Sequence, residues 1–114
     1  MDEARARELL ARERERIRRD LAELIPGVDD ELSHVDQHLG DEGSELFESE
    51  RDAGIAEQLR DELAAIERAE QRLAEGKYGR SIESGEPIPD ERLEAMPWAE
   101  RTVEEQARYD RGGW

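Results

Sequence analysis

Lys77 to Gln106 reads KYGRSIESGEPIPDERLEAMPWAERTVEEQ. A tight turn, two close positions, a Pro/Gly loop and two further close positions follow with the rhythm of a small metal knuckle. The residue types contradict that rhythm. Serine and threonine hydroxyls stay protonated and neutral, and the chain has no cysteine to supply a thiolate. His34 and His38 stand four apart with Asp36 between them, and on a helix they would face one way toward a shared transition metal. Histidines in so polar a stretch are more often solvated loop residues, and no metal is expected there. No nucleophile–base constellation or phosphate loop occurs, and the paired carboxylates are what 43% charged residues produce. The expectation is a protein that is not an enzyme.

The elements that must hold such a stretch are helices. Of 114 residues, 35% are hydrophobic and five are aromatic, which suits long solvated helices with one narrow buried stripe better than a globule. Asp2 to Ile25 holds seven Arg against seven Asp/Glu, and the other ten Lys/Arg against twenty-five Asp/Glu carry the whole net charge of −15. A surface this acidic repels phosphate backbones, so direct nucleic-acid binding is not expected and basic protein grooves are the natural partners. No apolar run approaches the ~18 residues of a membrane span, and the first residues lack a signal-peptide core. The expected compartment is the cytoplasm.

Glu3 to Ile25 is rich in Ala, Leu, Arg and Glu, with Leu10, Ile17, Leu21 and Leu24 on one helical stripe until Pro26-Gly27 stops it. Residues 26–43 read as a polar connection. A second helix is expected from Ser44, a plausible N-cap, through Ala56, Leu59, Leu63, Ile66 and Leu73 to about residue 75. Residues 1–75 then form an antiparallel helical hairpin. From Gly76 onward turn residues dominate, with a short turn around Leu93 and Met96 and a terminal helix near Thr102–Tyr109.

The run Tyr78-Gly79, Gly85, Ile88, Arg92-Leu93-Glu94-Ala95, Pro97, Ala99 and Gln106 resembles the C-terminal zinc finger of the DksA/TraR family. Those proteins carry a CxxCG pair, an I-P-x-x-R-L-x-A-x-P-x-A segment and a second CxxC. The likeness reaches back through SELFESERD (Ser44–Asp52) and covers roughly residues 36–108. It implies a mainly α fold: a long antiparallel hairpin of coiled-coil type, plus a zinc-finger-like module over 76–114 that ends in a short helix. It places Ser81, Ser84, Thr102 and Glu105 at the four cysteine positions, so no structural zinc and no other cofactor is expected. Structural zinc is worth an apparent ~10–16 kcal/mol in small finger peptides. Packing and hydrogen bonds must take its place. Ser81, Ser84 and Thr102 are expected to bond each other or nearby backbone. Tyr78, Ile82, Ile88, Leu93, Met96, Trp98 and Val103 are expected to form a miniature core.

The same resemblance implies a function. Family members insert the hairpin into the secondary channel of bacterial RNA polymerase, where an acidic tip perturbs the active centre. Alignment through the second helix puts Asp41 at the tip, with Glu42, Gly43 and Glu45 beside it and Asp36 adding acidity. The prototype has Ala where this chain has Gly43, and its first acidic tip residue falls on His38. Positions with which the prototype holds guanosine tetraphosphate carry Gln58, Ala65 and Gln106 here, so that synergy is not expected. The reading is a monomeric transcription regulator whose partner is RNA polymerase and which touches neither DNA nor membrane. The alternative is a helical adaptor that kept the fold and lost the polymerase role.

Overall fold

A computed structural model describes residues 1–25 and 49–112. Among these residues the chain is mainly helical: α1 (Glu3–Leu24), α2 (Glu50–Ala74), α3 (Asp90–Ala95) and α4 (Val103–Asp110). No β-strand forms among them, and one isolated antiparallel bridge joins Arg80 to Pro87. No described helix is long and apolar enough to cross a membrane. The tip residues Asp41, Glu42, Gly43 and Glu45, along with Ser44, His34 and His38, lie outside the described residues.

α1 is a helix because its apolar positions recur at helical spacing and its ends are served locally. Ala6, Leu9, Leu10, Ile17 and Leu21 are buried, as is Ile25 just beyond its end. The Asp2 carboxylate accepts from the backbone N–H of Arg5 at 3.1 Å, satisfying one orphan donor of the first turn. Exposed pairs such as Arg7–Glu3 at 2.6 Å decorate the outer face. Each such pair is worth about 0–1 kcal/mol, against about 1.5–3 kcal/mol for each fully buried Leu or Ile. The apolar stripe decides the packing.

α2 follows the same logic. Ser49 precedes it at a bend, and its Oγ accepts from the N–H of Asp52 at 3.2 Å. Ala56, Leu59, Leu63, Ala65, Ile66 and Ala69 are buried. Gly76, at φ 75°, ends it. The Gly76 N–H bonds the Leu73 carbonyl at 3.2 Å and the Lys77 N–H bonds the Arg72 carbonyl at 2.8 Å, a Schellman closure that needs a left-handed residue.

The chain divides into two compact units, Met1–Ala11 with Ala65–Trp114, and Arg12–Ala64. In the second, the two long helices face one another as the arms of the hairpin, contributing Ile17, Leu21 and Ile25 from one side and Ala56, Leu59 and Leu63 from the other. Arg16 bridges from Glu13, at 2.6 Å, to Glu62, at 3.8 Å. In the first, the module beyond Gly76 has its own core of Ile88, Leu93 and Ala99, with Met1 and Tyr78 packed against it. Gly79 sits at φ 87°, and a Cβ there would lie 3.7 Å from Leu93 Cδ1, so backbone conformation rather than space requires the glycine. Burial pushes the Tyr78 phenol up to about 12. It stays protonated and donates to the Pro97 carbonyl at 2.7 Å.

The expected seven-residue core is smaller than the sequence suggests. Ile82, Met96 and Val103 are 50%, 36% and 57% exposed, so core placement fails for all three. Ile82 and Val103 each follow directly on a buried residue, Ser81 or Thr102, whose polar side chain turns inward and leaves its neighbour outside. Met96 is the C-cap of the short α3. Trp98 is half-buried.

Candidate functional site

Two local structures meet in the module. In the first, residues 79–88 fold back on themselves. Ser81 N–H donates to the Glu86 carbonyl and Ile88 N–H to the Gly79 carbonyl, both at 2.8 Å, and Gly85 N–H donates to the Ser81 carbonyl at 3.0 Å. Within this turn Ser81 Oγ accepts from the N–H of Glu83 at 3.0 Å and of Ser84 at 3.2 Å. Ser84 Oγ accepts from the N–H of Glu86 at 3.2 Å. Serine favours such turns because its hydroxyl satisfies the backbone two or three residues on.

The second structure is the start of α4. Thr102 is the N-cap in extended conformation, and its hydroxyl accepts from the N–H of Glu105 at 3.2 Å. The Glu105 carboxylate reaches back to accept from the Thr102 N–H at 2.9 Å. The pair is a complete capping box. Its signature, Thr-x-x-Glu ahead of a helix, is legible in the sequence, and the bond from Thr102 to nearby backbone is the expected one, while Glu105 stands there only as a vacated ligand position.

The hydroxyls of Ser81 and Ser84, with the Thr102 N–H, lower the Glu105 pKa to about 2 against a weaker opposing effect of burial. Glu105 is 7% exposed, covered by these close neighbours rather than by a deep core. Ser81 and Thr102 are buried, and Ser84 is exposed.

They do not fit zinc. Zinc needs four N or S donors, typically thiolates or imidazoles in tetrahedral array. Three of these groups are neutral hydroxyls, and the one carboxylate already accepts from the Thr102 N–H. Among the described residues no group of three or more His, Cys, Asp or Glu side chains is placed to hold a metal ion.

Three further contacts tie the module to the long helices within its unit. Arg5 of α1 donates Nε and Nη2 to the Glu94 carboxylate at 3.0 and 2.8 Å. Arg68 and Arg72 of α2 both donate to Glu100. These clamps were not read from the sequence, where partners 28 to 89 positions apart give no local signal.

A helical pair followed by a compact knuckle defines the class of small helical proteins ending in a finger of the four-ligand type. Residues 76–111 match the family profile described as a prokaryotic dksA/traR C4-type zinc finger. The chain belongs to the DksA/TraR family. It is 36% identical over 103 residues to the RNA polymerase-binding transcription factor DksA of Caulobacter vibrioides, covering 86% of this chain and 68% of that protein. It is 42% identical over 78 residues to General stress protein 16O of Bacillus subtilis, covering 68% of this chain but only 48% of that protein's length. The structure of transcription factor DksA2 from Pseudomonas aeruginosa superposes with a TM-score of 0.66 at 28% identity, covering 96% of this chain and 83% of that one. The family's finger is thus present and its metal ligands are not.

Proposed function

We propose that this chain is a transcription regulator that binds bacterial RNA polymerase through its secondary channel, sets an acidic hairpin tip near the active centre, and makes no direct contact with DNA. The observation that carries the reading is the 36% identity, over 86% of the chain, to a protein named for binding RNA polymerase. Charge distribution supports it. Between Pro26 and Glu48 there are eight Asp or Glu and no Lys or Arg. Asp41, Glu42 and Glu45 belong to this stretch, and Gly43 lies among them. A carboxylate 4 Å from a cation gains about 1 kcal/mol in bulk water but about 4 kcal/mol at an effective dielectric of 20. A confined channel therefore rewards a tip carboxylate that water would screen. The mode of action is contact rather than turnover, by a cytoplasmic monomer whose partner is the polymerase.

Binding to purified RNA polymerase, competition with a channel-binding factor and promoter-specific transcription test the reading together. Asp41→Asn should bind and compete as the parent does while losing its effect on promoter output. Unchanged output from that variant removes the tip mechanism, and failure of the parent to compete removes the channel. Gly43, in place of the prototype's Ala, favours a second reading as a helical adaptor, and failure to compete would leave that reading standing.

A further inference from the structure

We infer that an arginine clasp does in this chain what an ion does in a four-cysteine finger: Arg101 holds the Glu83 carboxylate by its edge and the Tyr109 ring by its face, fastening α4 to the knuckle turn. The inference rests on family membership and the local geometry, and stands apart from the polymerase reading.

The clasp joins the two halves that an ion would join. Glu83 lies between Ser81 and Ser84, the first vacated pair, and Arg101 immediately precedes Thr102, the start of the second. Arg101 Nε donates to Glu83 Oε2 at 2.5 Å. Its guanidinium carbon stands 3.8 Å from the centre of the Tyr109 ring on α4. The two uses do not compete, because a guanidinium donates in its own plane and stacks through its face. Arg108 Nη2, also on α4, approaches the other carboxylate oxygen, Glu83 Oε1, at 3.6 Å. Arg92 Nε donates to the Arg101 carbonyl at 2.9 Å, so α3 steadies the backbone that carries the clasp. One carboxylate of the turn thus faces two arginines from the other half of the module.

α4 has need of such a fastening. Glu105 is the buried residue of the helix, while Val103, Ala107 and Tyr109 are exposed, so apolar packing does not hold it down. The capping box sets how α4 begins. A rival account leaves the joining of the halves to the backbone bond from the Ile82 N–H to the Glu100 carbonyl. Arg101 and Glu83 would then be a surface pair of little consequence. Burial argues against that: the Arg101 side chain is only 15% exposed, and a charge so covered depends heavily on its partner.

Amide hydrogen exchange on the full chain separates the accounts, with zinc content measured on the same sample. The Ile82 amide reports on the junction of the halves, and the Gln106 amide, bonded to the Thr102 carbonyl at 2.8 Å, reports on α4. Arg101→Lys keeps the charge but loses the planar fork. It should speed exchange at both amides by roughly tenfold, while α1 and α2 keep parental protection. Glu83→Gln, at an exposed turn position, and Tyr109→Leu, which removes the ring face, should each speed it by roughly two- to fivefold. The parent should contain no stoichiometric zinc, and a chelator should leave its exchange unchanged. Should Arg101→Lys unfold the module outright, the two milder variants decide. Parental exchange in Arg101→Lys, or in both Glu83→Gln and Tyr109→Leu, would overturn the inference. So would one equivalent of zinc in the parent, or chelator-induced exchange.

Discussion

Arg68 holds Glu100 in a two-pronged grip, Nε to Oε2 at 2.9 Å and Nη2 to Oε1 at 3.0 Å. Arg72, one turn further along α2, adds a third bond to the same carboxylate at 3.1 Å. The Glu100 carbonyl in turn accepts from the N–H of Ile82 at 2.9 Å. One residue thus connects α2, the knuckle turn and the segment leading into α4. A module whose own core is Ile88, Leu93 and Ala99 has little apolar area with which to hold that position. Bidentate arginine–carboxylate pairs supply direction as well as attraction.

Glu100→Gln should therefore destabilise the protein by about 1–2 kcal/mol in urea denaturation, the cost of charge-assisted bonds lost at a site where Arg68 remains half exposed. The Glu100 side chain is 13% exposed, and burial alone would raise its pKa. Bonds from Arg68 and Arg72 outweigh that and leave it below the ordinary 4.5. A double-mutant cycle with Arg68→Ala tests the pairing. A coupling near zero would show that the grip contributes nothing.

Glu105 makes a sharper prediction about acid. Its pKa is depressed from 4.5 to about 2, so the folded state prefers the ionised form. The associated stability is fully present above 4.5 and is lost as pH falls through the folded value. At pH 4 the module should remain intact, and between about pH 4 and pH 2 α4 should loosen ahead of the long helices. Half-buried Trp98 reports on the module by fluorescence, and far-ultraviolet circular dichroism reports on the long helices. A Glu105→Gln variant should lose this separate acid transition.

Leu93 and Val103 were assigned one role by the sequence, and the structure separates them. Leu93→Ala empties a fully buried position in a three-residue core and should cost about 2–5 kcal/mol. That is enough to open the module to limited proteolysis while most helical circular dichroism survives. Val103→Ala, on an exposed side chain, should fall within about 0.5 kcal/mol of the parent. Similar proteolysis of both variants would contradict the burial difference.

The division between what the chain spells out and what it conceals follows from range. Leu10, Ile17, Leu21, Ala56, Leu59, Leu63 and Ile66 repeat at helical spacing, and each is buried. Such a pattern is legible because neighbours three and four apart share a face. Gly76, Gly79 and Gly85 mark turns, and all three have positive φ. The start of α4 was legible, since Thr102 and Glu105 spell a capping box, while nothing in the local sequence says that the Ser81 and Ser84 hydroxyls lower the pKa of that same carboxylate. Hydrophobicity misled at Ile82 and Val103, where the polar neighbour takes the inward position and the apolar side chain is left outside. Arg5–Glu94 and Arg68–Glu100 were invisible among so many charges because their partners meet only once the module is folded.

On the proposed polymerase reading, charge governs the approach and Asp41 the outcome, and ionic strength tells the two apart. The chain carries −15 overall. A basic channel entrance should draw it in over a distance of order the Debye length, about 10 Å at 0.1 M salt and about 3 Å at 1 M. Its association rate should fall by at least about tenfold between 50 mM and 500 mM salt, while the dissociation rate changes far less. Asp41→Asn removes one charge of many, so its association rate should follow the same salt curve even as its effect on promoter output disappears. Stopped-flow binding of labelled protein to purified polymerase reads both rates. A salt-independent association rate would mean that the acidic surface plays no part in finding the partner.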